Sequence, residues 1–169
     1  MMVTFVDNEG ATHNFRHAFF SEEKGVMPPD DALGVYMLLD RNYRGRHGPC
    51  THRVLYVGQA RDGNLRNRMF SHAEDPEYAD RYRNLGTWPF DVLFVIDSDL
   101  EVSARAEPDF LAKRTAYEGI LFRWFVPLCA YESQFRAAKD RGKAEGCVPM
   151  VILDFEASTL RWARQAMAA

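Results

Sequence analysis

The chain is poor in cysteine and has no long apolar run. Cys50, Cys129 and Cys147 are odd in number, widely spaced and never arranged as CxxC. That excludes a disulfide framework and fits a reducing compartment, so the expected location is cytoplasmic. No stretch approaches the roughly 20 consecutive apolar residues of a membrane-spanning helix, so no membrane partner is expected. The opening "MMVTFVDNEG" has neither the basic start nor the apolar core of a secretory leader. Repeats, low-complexity segments and linkers are missing too, and 169 residues suit one domain with a real core, 1–169. A zinc centre is not expected. His47, Cys50 and His52 lie close together, but their spacing matches no common zinc pattern and no fourth ligand is evident.

Net positive charge is lacking as well, and its distribution says more than its sum. Seven arginines (41, 44, 46, 53, 61, 66 and 68) face one acid, Asp62, between residues 41 and 68. This segment is +6 in a chain of −3, so the remainder carries −9. A basic patch on an acidic body can steer a polyanion to one face. The plainer alternative is a solvated arginine-rich loop.

The pattern of elements points to a small α+β (α/β-like) domain. "VTFV" at 3–6 reads as a strand, "DNEG" as a turn and "THNF" as a returning hairpin partner. "MPPDDA" cannot be helical through its prolines. Residues 33–39 and 53–58 read as strands joined by a long Gly/Pro/Arg loop, 40–52. After them Asp62 or Asn64 can cap a helix whose Leu65, Met69 and Ala73 form one buried stripe. "FDVLFVID" at 90–97 is a strand apolar enough to be buried on both faces. Residues 107–126 form the longest helix, with Pro108 in its first turn and Pro127 at its stop. A helix at 130–141, a strand at 148–155 and a final helix in "STLRWARQAM" complete the expectation.

Several residues stand out chemically. Arg68 and His72 are four apart, hence stacked on one helix face beside the Leu65/Met69 stripe. Together they can present several donors to a phosphate, although an ordinary surface pair is the simpler reading. On the long helix Phe110, Tyr117, Leu121 and Trp124 mark an apolar stripe, widened by Leu111, Phe122 and Phe125. Glu118 falls inside that widened face. A carboxylate there needs a partner: Arg114 one turn earlier, or a hard cation such as Mg²⁺, which often takes only one or two carboxylates.

In order along the chain come Gly34-Val35-Tyr36, Tyr56-Val57-Gly58, "NLRNRMFSH" at 64–72, and Glu118 with Pro127 nine residues later. This set resembles the GIY-YIG nuclease domain over about residues 33–129, leaving 1–32 and 130–169 as extensions packed on that core. The resemblance implies a small central, mostly antiparallel sheet flanked by helices, with an added N-terminal hairpin and C-terminal strand–helix. It implies a Mg²⁺-dependent endonuclease (Mn²⁺ able to substitute) that hydrolyses phosphodiester bonds of DNA, duplex or branched, by a one-metal mechanism. Matched residue by residue, Tyr36 and Tyr56 are the active-site tyrosines, Arg68 the catalytic arginine, His72 the His-or-Tyr position and Glu118 the metal-binding acid.

Tyrosine near pKa ~10 is a poor base at neutral pH, so the resemblance asks Arg68 and a cation to favour a phenolate, with Tyr36 the preferred base. His72 is expected to bond the attacking water or a phosphate oxygen. Gln59 is expected to bind phosphate, and Arg44, Arg46 and Arg53 to contact flanking phosphates. Three departures stand out: the long 40–52 loop, "ARDG" about two residues longer than the common form, and Cys129 where many members carry Asn. The alternative is a catalytically inactive module of the same fold that binds nucleic acid or protein. A homodimer or a larger complex is left open.

Overall fold

The computed structural model describes residues 1–7, 9–20, 27–40, 50–60, 63–74, 90–100, 110–125 and 150–162. Hairpin formation starts the chain. Strands β1 (Met2–Val6) and β2 (Thr12–Phe20) pair antiparallel around a turn organised by Asp7, whose Oδ1 accepts the backbone N–H of Glu9 at 2.9 Å and of Ala11 at 2.8 Å. Gly10 supplies the left-handed φ of 84° that this turn needs. The returning strand runs well past the expected "THNF" because Arg16 to Phe20 find a second partner in β5 (Phe90–Ile96).

Strands β3 (Gly34–Asp40) and β4 (Cys50–Gln59) are antiparallel neighbours, and β3 also pairs with β5 along its full length. The strand expected to be buried on both faces thus lies between β2 and β3, and Asp91 to Val95 are all buried. β4 is longer than the sequence suggests, and its first residues, Cys50 to Arg53, pair with β6 (Met150–Asp154). A bulge at Leu38/Leu39 absorbs one extra residue of β4.

The C-terminal expectation is corrected. "TLRW" is not the start of a helix but strand β7 (Thr159–Trp162). Asp154 Oδ1 accepts the backbone N–H of Glu156 at 3.0 Å and of Ala157 at 2.9 Å, and Ser158 takes a left-handed φ of 53°. This tight turn sends the chain back along β6, while Thr159 and Leu160 pair parallel with Thr4 and Phe5 of β1. Leu160 is buried, Arg161 exposed and Trp162 half-buried, which is a two-residue period. Two partner strands outweigh a helical reading of so short a segment.

That parallel contact closes the sheet. The strands run β1-β2-β5-β3-β4-β6-β7 and return to β1 as a closed barrel, antiparallel at every step except β7 to β1. The α+β class holds. The sheet is mostly antiparallel, as expected, and it closes into a barrel because the two extensions supply the strands that join its edges. Helix α1 (Leu65–Glu74) and the short α2 (Asp97–Leu100) precede α3 (Phe110–Phe125), which agrees with the helix expected at 107–126.

The wall of the barrel separates two cores. One takes residues from all seven strands, among them Phe5, Phe15, Met37, Val57, Leu93, Leu153 and Leu160, and it also includes Tyr117, Leu121 and Phe125 of α3. Only the inner face can gather side chains from every strand, so α3 turns one face to that core while Thr115 and Gly119 stay exposed. The second core holds Leu38, Leu55, Val92 and Phe94 beneath Leu65 and Met69 of α1, on the outer face. Neighbouring residues of β3 therefore serve opposite cores. None of the described helices is long and apolar enough to cross a membrane. The helix expected at 130–141 lies outside the described residues.

Candidate active site

Tyr36 and Tyr56 lie on the outer face, on adjacent strands. In the antiparallel register Tyr36 faces Gly58 and Tyr56 faces Leu38, so the two rings are offset along the sheet and stack with centroids 5.9 Å apart at 27°. Each signature glycine has its own reason. A Cβ on Gly58 would stand 2.4 Å from Tyr56 Cε1 and 2.8 Å from the Tyr36 hydroxyl oxygen, so only glycine leaves the phenols their place. A Cβ on Gly34 would meet the Val95 carbonyl oxygen at 1.9 Å, so that glycine is required by the close approach of β5.

Helix α1 closes over this pair. Asn64 is its cap, with Oδ1 accepting the Asn67 N–H at 2.7 Å, and Leu65 and Met69 are fully buried. One turn beyond Leu65 and Met69 respectively, Arg68 and His72 stand at the edge of that stripe, as their spacing predicts. His72 is 2% exposed, and its Nε2 lies 2.6 Å from the Tyr36 hydroxyl. Its ring meets Tyr36 edge-on at 5.6 Å and Tyr56 at 4.7 Å. Burial, and next the charge of Arg68, hold the imidazole's pKa down to about 3. His72 is therefore neutral at pH 7 and shares a hydrogen bond with the Tyr36 hydroxyl through Nε2, the phenol donating in the tautomer whose proton sits on Nδ1. The expectation that His72 meets water or phosphate is thereby refined: in this structure its Nε2 holds Tyr36.

The inner face carries the other half of the set. Gln59, the last residue of β4, is 6% exposed. Its Nε2 donates to Glu118 Oε2 at 2.6 Å and to Thr115 Oγ1 at 3.3 Å. Arg114, the intrahelical candidate partner for Glu118, donates to the Ala60 carbonyl and lies 3.2 Å from Asp97 Oδ1. Burial raises the Asp97 carboxyl pKa, and Arg114 opposes that rise. Gln59 Oε1 is buried with no hydrogen-bond partner among the described residues. A carboxylate beside a spare amide oxygen is a hard-oxygen donor set that suits one Mg²⁺ keeping most of its waters. Among the described residues no group of three or more His, Cys, Asp or Glu is placed to hold a metal.

The fold thus assembles Tyr36, Tyr56, Arg68 and His72 from β3, β4 and α1, and it joins Glu118 to Gln59. The two sets are neighbours along β4, since Gly58, which faces the Tyr36 hydroxyl, directly precedes Gln59. Gln59 turns its amide to Glu118 and Thr115, where phosphate binding had been expected of it. The basic patch is only partly placed. Arg66 is tied to the Pro28 carbonyl at 3.1 Å and to Asp30. Arg53 pairs with Met150 through its strand, while its side chain, like Arg44, Arg46 and Cys129, lies outside the described residues.

One polar cluster escaped the sequence reading. Asp91, fully buried inside the barrel, accepts from His17 Nε2 at 2.8 Å and from His52 Nε2 at 3.0 Å. Burial alone would raise the Asp91 carboxyl. The two imidazole hydrogen bonds outweigh it and bring the pKa to about 2. The signal was available: an aspartate in a strand read as buried on both faces requires partners. A second chain links the hairpin to α3. His13 bonds Asp7 at 3.0 Å through Nε2 and faces the Tyr117 hydroxyl at 3.4 Å through Nδ1. Burial pushes the Tyr117 phenol up. No family model, curated protein or solved structure matches the chain.

Proposed function

We propose that the chain is a Mg²⁺-dependent endonuclease that hydrolyses phosphodiester bonds of DNA, duplex or branched. The observation that supports this best is the 2.6 Å contact between the Tyr36 hydroxyl and a neutral His72, stacked against Tyr56 and flanked by Arg68. Neutral His72 holds the Tyr36 hydroxyl in place. As water attacks phosphorus, its proton would pass to a Tyr36 phenolate favoured by Arg68 and a cation, the P–O ester bond would break, and the leaving oxygen would take a proton from solvent water. Arg68 offers charge to the phosphorane oxygens. Tyr56 fixes both rings, stacking on Tyr36 and meeting His72 edge-on. Gln59 orients the Glu118 carboxylate. Glu118 and Gln59 would hold a divalent ion, Mg²⁺ or Mn²⁺, on the inner side of the β4 end, and it would supply charge stabilisation to a phosphate seated across that end, where Gln59 follows Gly58.

Nicking of supercoiled plasmid under Mg²⁺ tests the proposal. The expected result is activity that falls on the order of a hundredfold or more in both Glu118→Ala and Arg68→Ala. A second reading is favoured by burial: Tyr36 and Tyr56 are 0% and 2% exposed, which suits a module of this fold that binds nucleic acid or protein without cleaving. Salt-sensitive DNA binding without nicking under any divalent ion would establish that reading.

A further inference from the structure

We propose that Gln59 governs cation binding at Glu118, locking the carboxylate through its amide nitrogen and offering its amide oxygen to the cation's hydration shell. This rests on the reading of Glu118 as the metal-binding acid. Its grounds lie in one side chain. Gln59 is 6% exposed at the end of β4, and Nε2 meets Glu118 Oε2 at 2.6 Å and Thr115 Oγ1 at 3.3 Å. A carboxylate only accepts, so the amide nitrogen must face it, and the orientation of the amide is fixed by chemistry. Both amide hydrogens are then committed. Oε1 remains, buried and without a hydrogen-bond partner among the described residues.

A buried carbonyl oxygen calls for a donor or a positive charge. Beside a carboxylate the fitting occupant is a hard divalent cation with its waters, because Mg²⁺ and Mn²⁺ prefer oxygen, keep bound water and need few protein carboxylates. A neutral oxygen in this role also spares the inner core a second carboxylate. Leu121, one turn beyond Glu118, is fully buried there.

The probe is Mn²⁺ alone, titrated into the full chain and read as free Mn²⁺ by electron paramagnetic resonance, without DNA. The wild type should bind one Mn²⁺ and Glu118→Ala should lose it. Gln59→Leu should weaken binding about tenfold or more, as loss of groups that orient a metal ligand commonly does. If Gln59→Leu does not give a native melting transition, Gln59→Asn, with its amide one methylene short, carries the same expectation. A folded Gln59 variant within twofold of wild type, with Glu118→Ala still abolishing binding, overturns the role of Gln59 and leaves Glu118 as the metal-binding acid. No Mn²⁺ binding by the wild type overturns both.

Discussion

Two buried histidine clusters lie on opposite faces of the same barrel wall, and they differ in one respect that decides their chemistry. Inside the barrel, His17 and His52 both turn Nε2 to the carboxylate of Asp91. Outside it, under α1, His72 has a phenol at its Nε2 and an arginine as its charged neighbour. The acid makes the inner pair donors that bind β2, β5 and β4 together. The arginine and burial leave the outer imidazole neutral, an acceptor beside a tyrosine. Similar burial therefore yields a structural clamp in one place and an uncharged partner for a tyrosine in the other.

The largest effect expected from breaking this contrast is in the clamp. Asp91→Ala leaves two buried imidazoles without their acceptor and should cost about 3–5 kcal/mol of stability in urea unfolding. A cost under about 1 kcal/mol would mean that the clamp holds nothing.

Acid titration sharpens the comparison next. The folded pKa of His72 is depressed, to about 3, so its contribution is complete above the unfolded value of 6.5 and is lost as pH falls toward about 3. From the size of that shift the full loss is about 5 kcal/mol. Asp91 is also depressed, to about 2, so its contribution is complete above 3.8 and is lost only below that pH. Urea midpoints across pH should show both falls, and His72→Gln should remove the upper one while sparing the lower.

Gly58→Ala pushes a methyl group into both phenols and should cost about 1–3 kcal/mol. It should also reduce nicking, because both rings must shift. Tyr36→Phe is the mildest change in stability, about 1 kcal/mol for one lost hydrogen bond. A double-mutant cycle with His72→Gln should give a coupling of about 0.5 kcal/mol or more, and zero coupling would dissolve the dyad.

How much of this was legible in the sequence depended on whether the signal was local. The Arg68/His72 spacing, the Asn64 cap and the long helix follow from one segment each, and the structure agrees with them. The two apolar runs read as strands β3 and β4, and an antiparallel sheet was what the resemblance implied for them. Barrel closure was not, because it depends on Thr159 and Leu160 pairing with Thr4 and Phe5, over 150 residues away. The same limit applied to Gln59. Nothing local says that an amide after "YVG" meets Glu118 of α3, because the contact is made by how α3 seats in the barrel. Asp91 was the readable signal left unread, a charge in the most apolar strand. Its partners His17 and His52 sit on strands whose order only the closed sheet defines.

The central claim is that His72 is a neutral acceptor for Tyr36. Nitrogen NMR of ¹⁵N-histidine-labelled protein at pH 5.5, with His72 assigned through His72→Gln, tests it directly. The prediction is a neutral ring with Nε2 unprotonated and no titration until well below pH 5. A His72 that charges near pH 6.5, or carries its proton on Nε2, would contradict the account.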